Sequence, residues 1–472
     1  MSGGWTIGID TGGTFTDAMA VHADGRFATA KVPSTPDDPS RGLVAGVREL
    51  LAGGIAPEDV DLVFHGTTVA TNAMLTGRRS HVVLVATEGF GDLMAYRDGT
   101  RPVLYDLRQR RPDPIVLPDD RIEVAERLSS LGEVVVALTD DEVERVAAAV
   151  AGRAPEAVAI ALLFSYLDDR HERRIAEAVR ARLPGIPVTT SAEVAREFRE
   201  YPRTATAVVN ATLRPIVGRY VAEAERGVAG LGVDAPFLVM QSNGGCVPAP
   251  RAGAEAHRLL LSGPTAGVAG AIALAERRSI EGVISFDMGG TSIDVCLVQG
   301  RTPPTTSRQR VDDHPILVPS VDIVTAGAGG GSIARVDRAG RLRVGPESAG
   351  ADPGPAAYGR GGEDPTLTDA HVVTGVLGHA PLAGRLPLDR ELAERAVARV
   401  AEPLGLDVVA AAEGIIAVAT AHSVAALRRV SVERGIDPSG FALVAFGGAG
   451  PLLAGRLLDE LGLAAAVVPP HP

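Results

Sequence analysis

Two short stretches of this sequence bring together carboxylates, glycines and threonines at a spacing suited to phosphate chemistry. They are residues 10–17 and residues 287–294, and both have the pattern D-x-G-G-T-x-x-D. Each stretch follows a short apolar run and precedes another, which predicts a β-hairpin with a glycine turn in both places. Paired glycines allow positive φ, so the turn amides can converge on an anion, and the threonine hydroxyls add donors.

The repetition of the pattern carries the functional argument. A single stretch of this kind is most simply interpreted as an ordinary tight hairpin. Two copies, with both Asp10 and Asp287 kept, favour a nucleotide bound between two related domains. An aspartate at the end of each first strand suits a magnesium ion, so these two carboxylates are the predicted metal ligands.

The elements around these hairpins predict an α/β protein of more than one domain. Residues 5–32 are expected to form strand, turn, strand, turn and strand, an opening typical of a ribonuclease H-like domain. At 472 residues the chain is too long for one core, so two or three domains are expected. Further helices are predicted over residues 43–52, 193–226 and 410–429, and a strand over residues 443–446.

Composition excludes several classes of function. The net charge of −12 argues against a non-specific polyanion binder, and the 4% aromatic content argues against stacking platforms for nucleic acid. Cys246 and Cys296 are too few for a disulfide framework, which fits a reducing cytoplasm. The N-terminus has no signal-peptide pattern, and the apolar run at residues 157–164 is too short to span a bilayer. We therefore expect a cytoplasmic protein without a membrane or nucleic-acid partner.

Two further stretches are candidates for ligand contacts. Residues 65–73, HGTTVATNA, follow a predicted strand and begin a predicted helix. This leaves free amides and three threonine hydroxyls at the N-terminus of that helix. Helix capping by Thr67 or Thr68 explains the same pattern equally well. Residues 447–451, GGAGP, join a strand to a helix and predict a ligand-facing helix N-terminus, which we interpret as the adenosine site.

Three other features are weighed against simpler explanations. The arginines at positions 97, 101, 108, 110 and 111 could face a phosphate, but a solvated or ion-paired surface is the favoured interpretation. His171 and Glu172 are adjacent in a predicted helix and point to different faces, so they are predicted to be structural. Residues 344–369 are rich in Gly and Pro and are either disordered or an ordered loop that brings Tyr358, Arg360 and Asp369 to the substrate.

Taken together, ten ordered motifs resemble the hydantoinase/oxoprolinase family, specifically its hydantoinase A type subunit, over nearly the whole chain. They are IGIDTGGTFTD (residues 7–17), HGTTVATNA (65–73), TEGF (87–90), FREYPRTATAVVNATLRP (198–215), MQSNGG (240–245), LLSGPTAGV (260–268), FDMGGTSID (286–294), AGAGGGSIA (326–334), VGPESAGADPGPAAYGRGG (344–362) and FGGAGP (446–451).

The resemblance implies an α/β fold with two ribonuclease H-like, actin-like ATPase domains and a nucleotide cleft between them. It divides the chain into an N-terminal domain at residues 1–190 and a main domain at residues 191–472, which holds the second ribonuclease H-like unit and the adenosine motif. It implies ATP and Mg²⁺ as cofactors, with Asp10 and Asp287 as both catalytic and metal-binding residues and with His65 and Thr67 as further catalytic residues. The implied nucleotide contacts are Thr11, Gly12, Gly13, Thr14, Gly289, Gly290, Thr291, Gly329, Gly330, Gly447, Gly448 and Gly450.

The resemblance leaves three functions open. The first is an ATP-dependent hydrolase that phosphorylates a cyclic amide, such as a hydantoin, 5-oxoproline or a lactam, for ring opening with a hydantoinase B type partner subunit. The second is an ATP-dependent ketone carboxylase subunit, which would need bicarbonate or CO₂. The third is a nucleotide-binding assembly component without chemistry of its own.

Two departures from the family pattern bear on that choice. Leu453 and Val324 stand where relatives often carry His or, at the second position, another polar residue. The family's usual C-terminal domain is also expected to be missing after Pro472.

Overall fold

The structure is a computed structural model that describes residues 4–12, 15–35, 37–99, 105–106, 108, 114–307, 309–382, 386–470 and 472. The chain divides into two compact units. Unit 1 comprises Met1–Gly263 and Thr306–Ser320, and unit 2 comprises Pro264–Thr305 and Val321–Pro472.

Both units contain strands and helices. The strands are β1 Trp5–Thr11, β2 Phe15–His22, β3 Phe27–Pro33, β4 Val60–Thr67, β5 Val82–Thr87, β6 Arg121–Val124, β7 Arg127–Leu128, β8 Val134–Val136, β9 Ala157–Ala161, β10 Val188–Thr190, β11 Phe237–Met240, β12 Cys246–Pro248, β13 Gly282–Met288, β14 Ile293–Gln299, β15 Thr305–Thr306, β16 Gln309–Val311, β17 His314–Ile316, β18 Ser320–Val321, β19 Val324–Ala326, β20 Ser332–Val336, β21 Leu342–Ser348, β22 Ala442–Phe446 and β23 Ala465–Val467. The α-helices are α1 Pro39–Ala52, α2 Val69–Leu75, α3 Leu93–Tyr96, α4 Asp140–Gly152, α5 Arg170–Arg182, α6 Ser191–Val194, α7 Glu200–Ala229, α8 Ala249–Ala254, α9 Ser262–Arg277, α10 Leu367–Val373, α11 Arg390–Leu404, α12 Val408–Val430 and α13 Gly450–Leu461.

The main sheet of unit 1 is built on the first predicted hairpin. Its strand order is β12-β11-β4-β1-β2-β3, with β4 parallel to both β1 and β11. In β1, Ile7 and Ile9 are buried whereas Gly8 and Asp10 are exposed, the alternation of a strand with one face in the core. The meander predicted for residues 5–32 is confirmed as the antiparallel strands β1, β2 and β3.

The main sheet of unit 2 repeats this arrangement. Its strand order is β19-β14-β13-β22-β23, with an antiparallel meander of β13, β14 and β19 and with β22 parallel to β13 and β23. The order and the strand directions match those of β3-β2-β1-β4-β11 in unit 1. The repeat seen in the sequence as two hairpins is therefore a repeat of two five-stranded sheets.

Helix α7 contributes to the cores of both large sheets of unit 1. Its residues Val209 and Leu213 belong to the core beneath the six-stranded sheet. Ala205 and Val208, one turn earlier, belong to the core of the second sheet of unit 1, which has the strand order β10-β9-β5-β6. Because one helix packs against both sheets, the chain remains in unit 1 as far as Gly263.

Helix α12 is the most apolar helix of unit 2. By length and composition alone, the stretch Val408–Arg434 could cross a membrane. Core helices pass the same test, and Ile415, Ile416 and Leu427 on α12 lie buried in the largest core cluster of unit 2. The helix begins at Asp407, whose side chain accepts a hydrogen bond from the amide of Ala410, and it carries Arg428 and Arg429 in its last turn.

Candidate functional site

In unit 1, the two aspartates of the first hairpin face each other across the strands. Asp10 of β1 is the register partner of Asp17 of β2, so both carboxylates lie on the same face of the sheet. Lys31 of β3 continues the row and places its Nζ 2.6 and 2.8 Å from the two carboxylate oxygens of Asp17.

Asp10 holds its proton more tightly than an ordinary aspartate. Burial by surrounding protein and the nearby Asp17 carboxylate raise the pKa of Asp10 to about 6, and Lys31 opposes this rise. Solvent still reaches part of the Asp10 side chain, because it lies on the open face of β1. Two carboxylates that repel each other in such a place are a favourable environment for a divalent cation.

The glycine turn that joins β1 and β2 is described only in part. Gly13 and Thr14, two of the predicted phosphate contacts, lie outside the described residues. The amide of Gly12 donates to Phe15 O at 3.1 Å, and its carbonyl accepts a hydrogen bond from Ser34 Oγ at 2.7 Å. Gly12, at the start of the turn, is thereby held to β2 and to the segment after β3.

The HGTT stretch adjoins this hairpin, as β4 pairs with β1 in parallel register. Thr68 Oγ1 donates to Thr11 O at 3.0 Å, which ties the start of α2 to the end of β1. Thr67 Oγ1 accepts from the amide of Val69 at 3.2 Å, a local turn contact, whereas the side chain of the N-cap residue Thr68 makes no capping hydrogen bond. The Thr67 and Thr11 side chains are buried, and Gly263 lies beside Asp10, where a Cβ would be 3.7 Å from Asp10 Oδ1.

His65 is buried, and both of its ring nitrogens have hydrogen-bond partners. Nδ1 lies 3.2 Å from Ile9 O, and Nε2 lies 2.7 Å from the hydroxyl of Tyr220 on α7. Burial lowers the pKa of His65 to about 4, so the ring is neutral, with its proton on Nδ1 and with Nε2 accepting from the tyrosine. The predicted catalytic role of His65 and Thr67 stays untested, and this geometry favours residues that position β1 and β4.

Removing the hydroxyl that meets His65 is expected to cost stability. Tyr220→Phe leaves His65 Nε2 buried without a donor, which should lower the free energy of unfolding by about 1–3 kcal/mol. The matched control is Tyr201→Phe on the same helix, because its buried hydroxyl has no hydrogen-bond partner among the described residues. Urea unfolding of the two variants should separate them, and equal stabilities would contradict a structural role for the His65–Tyr220 pair.

In unit 2, the second hairpin has the same cross-strand geometry. Asp287 of β13 is the register partner of Asp294 of β14, and Asp294 in turn faces Thr325 of β19. Thr325 Oγ1 donates to Asp294 Oδ1 at 2.5 Å. Burial raises the pKa of Asp294, and the hydrogen bonds from Thr325 and Ser292 oppose this rise. Each hairpin thus has a pair of opposed aspartates. The second aspartate of each pair, Asp17 or Asp294, forms a hydrogen bond with a side chain of the third strand.

The glycine loop before β20, residues 327–331, forms hydrogen bonds with the turn of the second hairpin. The amide of Gly330 donates to Gly289 O at 2.9 Å, and the amide of Gly331 donates to Gly290 O at 2.8 Å. A Cβ at Gly329 would overlap the backbone of Gly290 and Thr291. Glycine is therefore required at position 329 for the two turns to lie in contact.

The third predicted glycine turn reaches the same place. Gly447, at φ +79°, follows β22, and a Cβ there would overlap Asp287 Oδ1 and lie 2.7 Å from Met288 O. The amide of Ala449, which precedes α13, donates to Met288 O at 2.8 Å. The structure therefore brings together the second hairpin, the glycine loop and the GGAGP turn, three motifs that are far apart in the sequence.

Part of this assembly is open for an anion. In the described part of the chain, the amides of Gly290 and Thr291 donate no hydrogen bond to protein, and both residues are exposed. Gly448 is also exposed, and a Cβ there would meet nothing within 4 Å. Exposed turn amides next to a carboxylate provide the donors that a phosphate needs.

The two departures from the family pattern have different surroundings. Leu453 is completely buried in the core, one turn into α13. Val324 is half-buried at the start of β19. A leucine at position 453 therefore serves packing.

The loop over residues 344–369 is organised around a buried carboxylate. Asp369 accepts hydrogen bonds from the amides of Ala356, Ala357 and Thr366, at 3.3, 2.7 and 2.9 Å, and from Thr366 Oγ1 at 2.7 Å. The prediction that Asp369 reaches towards a substrate is wrong, because four donors hold its side chain inside the loop. The first residues of this stretch also form the end of β21 and are not irregular.

The structural interpretation of His171 and Glu172 is confirmed, and the ion-paired interpretation of the arginines is confirmed for Arg97. His171 Nδ1 lies 2.7 Å from Glu126 Oε2, whereas Glu172 accepts from Ser191 Oγ at 2.6 Å, so the two side chains serve different networks. Arg97 forms an ion pair with Asp313 at 2.7 Å. Arg101, Arg110 and Arg111 lie outside the described residues.

One pocket was not predicted. It has a volume of about 490 Å³, and its lining includes Arg335, Asp337 and Arg343 of the β20–β21 ribbon and His422 of α12. Arg343 is already paired with Asp337 at 3.0 Å, and Arg335 is paired with Glu347. No sequence motif marks this pocket.

Across the described ranges, no group of three or more His, Cys, Asp or Glu residues is arranged to hold a metal ion.

The chain belongs to the hydantoinase/oxoprolinase family, which confirms the resemblance drawn from the motifs. The family model for the hydantoinase/oxoprolinase N-terminal region matches residues 6–183, and the hydantoinase/oxoprolinase model matches residues 203–472.

Relatives within the family differ in activity. The caprolactamase subunit alpha of Pseudomonas jessenii is 37% identical over 477 residues, covering 98% of this chain and 68% of that subunit. The acetophenone carboxylase gamma subunit of Aromatoleum aromaticum is 35% identical over 473 residues, covering 94% of this chain and 64% of that subunit. The chain thus spans about two thirds of the length of these relatives.

Solved structures of both kinds share the fold. The ATP-dependent caprolactamase from Pseudomonas jessenii superimposes with a TM-score of 0.86 at 37% identity, over 98% of this chain and 68% of that one. The nucleotide-free acetone carboxylase superimposes with a TM-score of 0.85 at 29% identity, over 99% of this chain and 68% of that one. The mixed α/β architecture is therefore that of these enzymes.

Proposed function

We propose that this chain is the ATP-using subunit of an enzyme that activates a cyclic amide by phosphorylation for hydrolytic ring opening. The observation that carries the proposal is the pair of matching sheets, each with a D-x-G-G-T-x-x-D hairpin and directly opposed aspartates. We interpret the sheets as two ribonuclease H-like, actin-like ATPase domains, with both hairpins taking part in ATP binding. The names of a caprolactamase and several 5-oxoprolinases among the relatives support the substrate class.

The chemistry suits the residues at hand. An amide carbonyl is a poor electrophile, and transfer of the γ-phosphoryl group to its oxygen releases ADP and leaves a carbon that water can attack. Such a transfer needs alignment and charge stabilisation more than covalent help. The exposed amides of Gly290 and Thr291 would hold phosphate oxygens. In unit 1, the contacts of His65 and Thr68 with the end of β1 would keep the first hairpin in position.

Asp10 and Asp287 would hold Mg²⁺, which would supply positive charge to offset that of the phosphate groups. The fit of a divalent cation rests on the opposed carboxylates, whose repulsion contributes to the raised pKa of Asp10. Gly447, Gly448 and Gly450, at the start of α13, would face the adenosine. Gly329 and Gly330 would keep the turn of the second hairpin in place.

A partner-dependence experiment tests this function. The purified chain should bind MgATP by calorimetry and hydrolyse it slowly, and hydrolysis should rise at least about tenfold when a hydantoinase B type subunit and a cyclic amide are both present. Hydantoin, 5-oxoproline and caprolactam are the substrates to compare. Absence of MgATP binding would contradict the proposal, and full ring opening by the chain alone would contradict the need for a partner.

The second candidate function is ketone carboxylation, favoured by the acetophenone and acetone carboxylase relatives. In the same assay, ATP turnover that needs acetone or acetophenone together with bicarbonate would identify this branch. MgATP binding that no substrate stimulates, with or without the partner, would instead identify a nucleotide-binding assembly component. We place the protein in the cytoplasm on the grounds of its cysteine content.

A further inference from the structure

Lys31 is the only lysine in the 472 residues of this protein, and the other 45 basic residues counted with it are arginines. Among the described residues, ion pairs that do not involve histidine use arginine in every case except Lys31–Asp17. Arginine and lysine differ in physical terms: guanidinium is planar and broad, whereas ammonium is a compact point charge on a thin stem. A chain that uses arginine everywhere else is therefore expected to use a property of the ammonium group at position 31.

The position of Lys31 is next to the first phosphate hairpin. Its register partner on β2 is Asp17, which faces Asp10 on β1, so the three charged side chains form a row on one face of the sheet. Lys31 Nζ lies 5.1 Å from the centre of the Phe15 ring. Phe15 is the first residue of β2 and comes directly after the glycine turn. The ammonium group of Lys31 therefore lies towards the end of the strands at which this turn is found.

Stability does not explain the lysine. The side chains of Lys31 and Asp17 are 40% and 54% exposed, and an ion pair so open to water contributes only about 0–1 kcal/mol. Arginine would form the same pair, as it does with Asp24 at the other end of the β2–β3 ribbon.

The matching sheet of unit 2 has no cation at the equivalent place. Thr325 occupies the register position opposite Asp294 and donates its hydroxyl hydrogen to that carboxylate. A neutral hydroxyl is therefore sufficient to hold the second aspartate of a hairpin. The positive charge of Lys31 distinguishes the first hairpin from the second and serves something other than holding an aspartate.

We infer that Lys31 Nζ binds the terminal phosphate of the nucleotide, so that the first hairpin supplies a cation to the phosphoryl group that is transferred. The ammonium has three N–H donors, and Asp17 orients it from one side, which leaves donor capacity for a phosphate oxygen. This contact adds a phosphate-binding residue to the proposed function. It also rests on that function, because it requires that a nucleoside triphosphate binds at this hairpin.

A single lysine makes the contact directly measurable. In an otherwise lysine-free chain, an amine-specific acetylating reagent can mark only Lys31 and the terminal α-amine, and the latter serves as an internal reference. Mass spectrometry should show that saturating MgATP slows acetylation of Lys31 at least about tenfold relative to the α-amine, since an amine that binds phosphate is withdrawn from the reagent. MgADP should protect much less, and adenosine should not protect.

Two variants provide matched controls. Arg26→Lys places a second amine in the turn at the far end of β2 and β3, and this amine should react at the same rate with and without MgATP. Lys31→Met removes the ammonium but leaves Asp17 exposed to water, so the fold should persist, as circular dichroism can check. Calorimetry should show MgATP affinity reduced about tenfold or more, with MgADP affinity within about twofold of wild type.

The possible results distinguish a failure of the Lys31 inference from a failure of the proposed function. If wild type binds MgATP but Lys31 is acetylated at an unchanged rate, or if Lys31→Met weakens ATP and ADP equally, the inference is overturned and the proposed function stands. If wild type binds no MgATP, both are overturned. Protection of Lys31 and of the introduced amine to the same extent would show a general change in reactivity and would also overturn the inference.

Discussion

Replacing Asp10 or Asp287 by asparagine is expected to reduce magnesium-dependent ATP turnover by at least about a hundredfold. Asparagine keeps the size and shape of each side chain and removes the negative charge that we assign to the metal. Both aspartates lie near the end of the first strand of a hairpin. Asp287 is packed so closely against Gly447 that a Cβ at position 447 would overlap its carboxylate, and Gly263 lies beside Asp10. The measurement is ATP hydrolysis by the reconstituted enzyme as a function of magnesium concentration.

The acidity of Asp10 gives this prediction a second readout. Because its pKa is raised to about 6, Asp10 is a carboxylate above that pH and becomes protonated below it. Magnesium-dependent affinity of the wild-type chain for ATP should therefore weaken as the pH falls from 7.5 through about 6, well above the range in which an ordinary aspartate titrates. Affinity that is flat down to pH 5 would contradict a metal-binding role for Asp10.

The control for both aspartates is Asp24→Asn. Asp24 lies in the exposed turn between β2 and β3, at the opposite end of the hairpin from the glycine turn, and its partners among the described residues are its neighbours His22 and Arg26. This variant should keep full turnover and unchanged stability. If Asp10→Asn and Asp287→Asn behave like this control, neither carboxylate takes part in ATP chemistry.

Replacing Gly329 by alanine is expected to have a comparably large effect by a steric route. The added methyl group would overlap the backbone of Gly290 and Thr291, whose amides we assign to phosphate. The glycine loop would have to move away, which would cost about 1–3 kcal/mol of unfolding free energy and displace the turn of the second hairpin. We expect ATP affinity to fall below detection by calorimetry and the melting temperature to drop by several degrees.

Gly455→Ala is the matched control for this substitution. Gly455 is an exposed position within α13, and a Cβ there would meet nothing within 4 Å. Alanine is favoured over glycine inside a helix by up to about 1 kcal/mol, so the control should be as stable as wild type or slightly more stable. A Gly329→Ala protein with the melting temperature and ATP affinity of this control would show that the loop adapts and that the contact is not required.

The local part of the candidate site was predictable from the sequence, because it depends on short-range spacing. In the D-x-G-G-T-x-x-D pattern, a tight turn at the glycines places the first and last aspartates opposite each other, as found for Asp10 with Asp17 and for Asp287 with Asp294. The GGAGP turn was likewise predictable from its strand–glycine–proline–helix order, and the structure places it directly after β22.

Contacts between distant segments could not be predicted in this way. His65 and Tyr220 are 155 residues apart, and only the packing of α7 brings them together. Asp369 was assigned to a substrate because it ends a loop rich in Gly and Pro, yet folding of that loop provides four donors for its carboxylate. Periodicity and turn residues carry information about neighbours in sequence, whereas these partners are fixed by the tertiary fold.

The discontinuity of unit 1 has a consequence for synthesis on the ribosome. Val311, Ile316 and Val318 belong to the core beneath the six-stranded sheet, and the amide of Leu317 donates to Thr206 on α7. These residues are translated only after the first stretch of unit 2 has begun at Pro264. At about 5–20 residues per second, a nascent unit 1 therefore waits for several seconds with part of its apolar core uncovered. During that interval the uncovered core is open to chaperones, and unit 1 can complete its fold only after residues 264–305 of unit 2 have been synthesised.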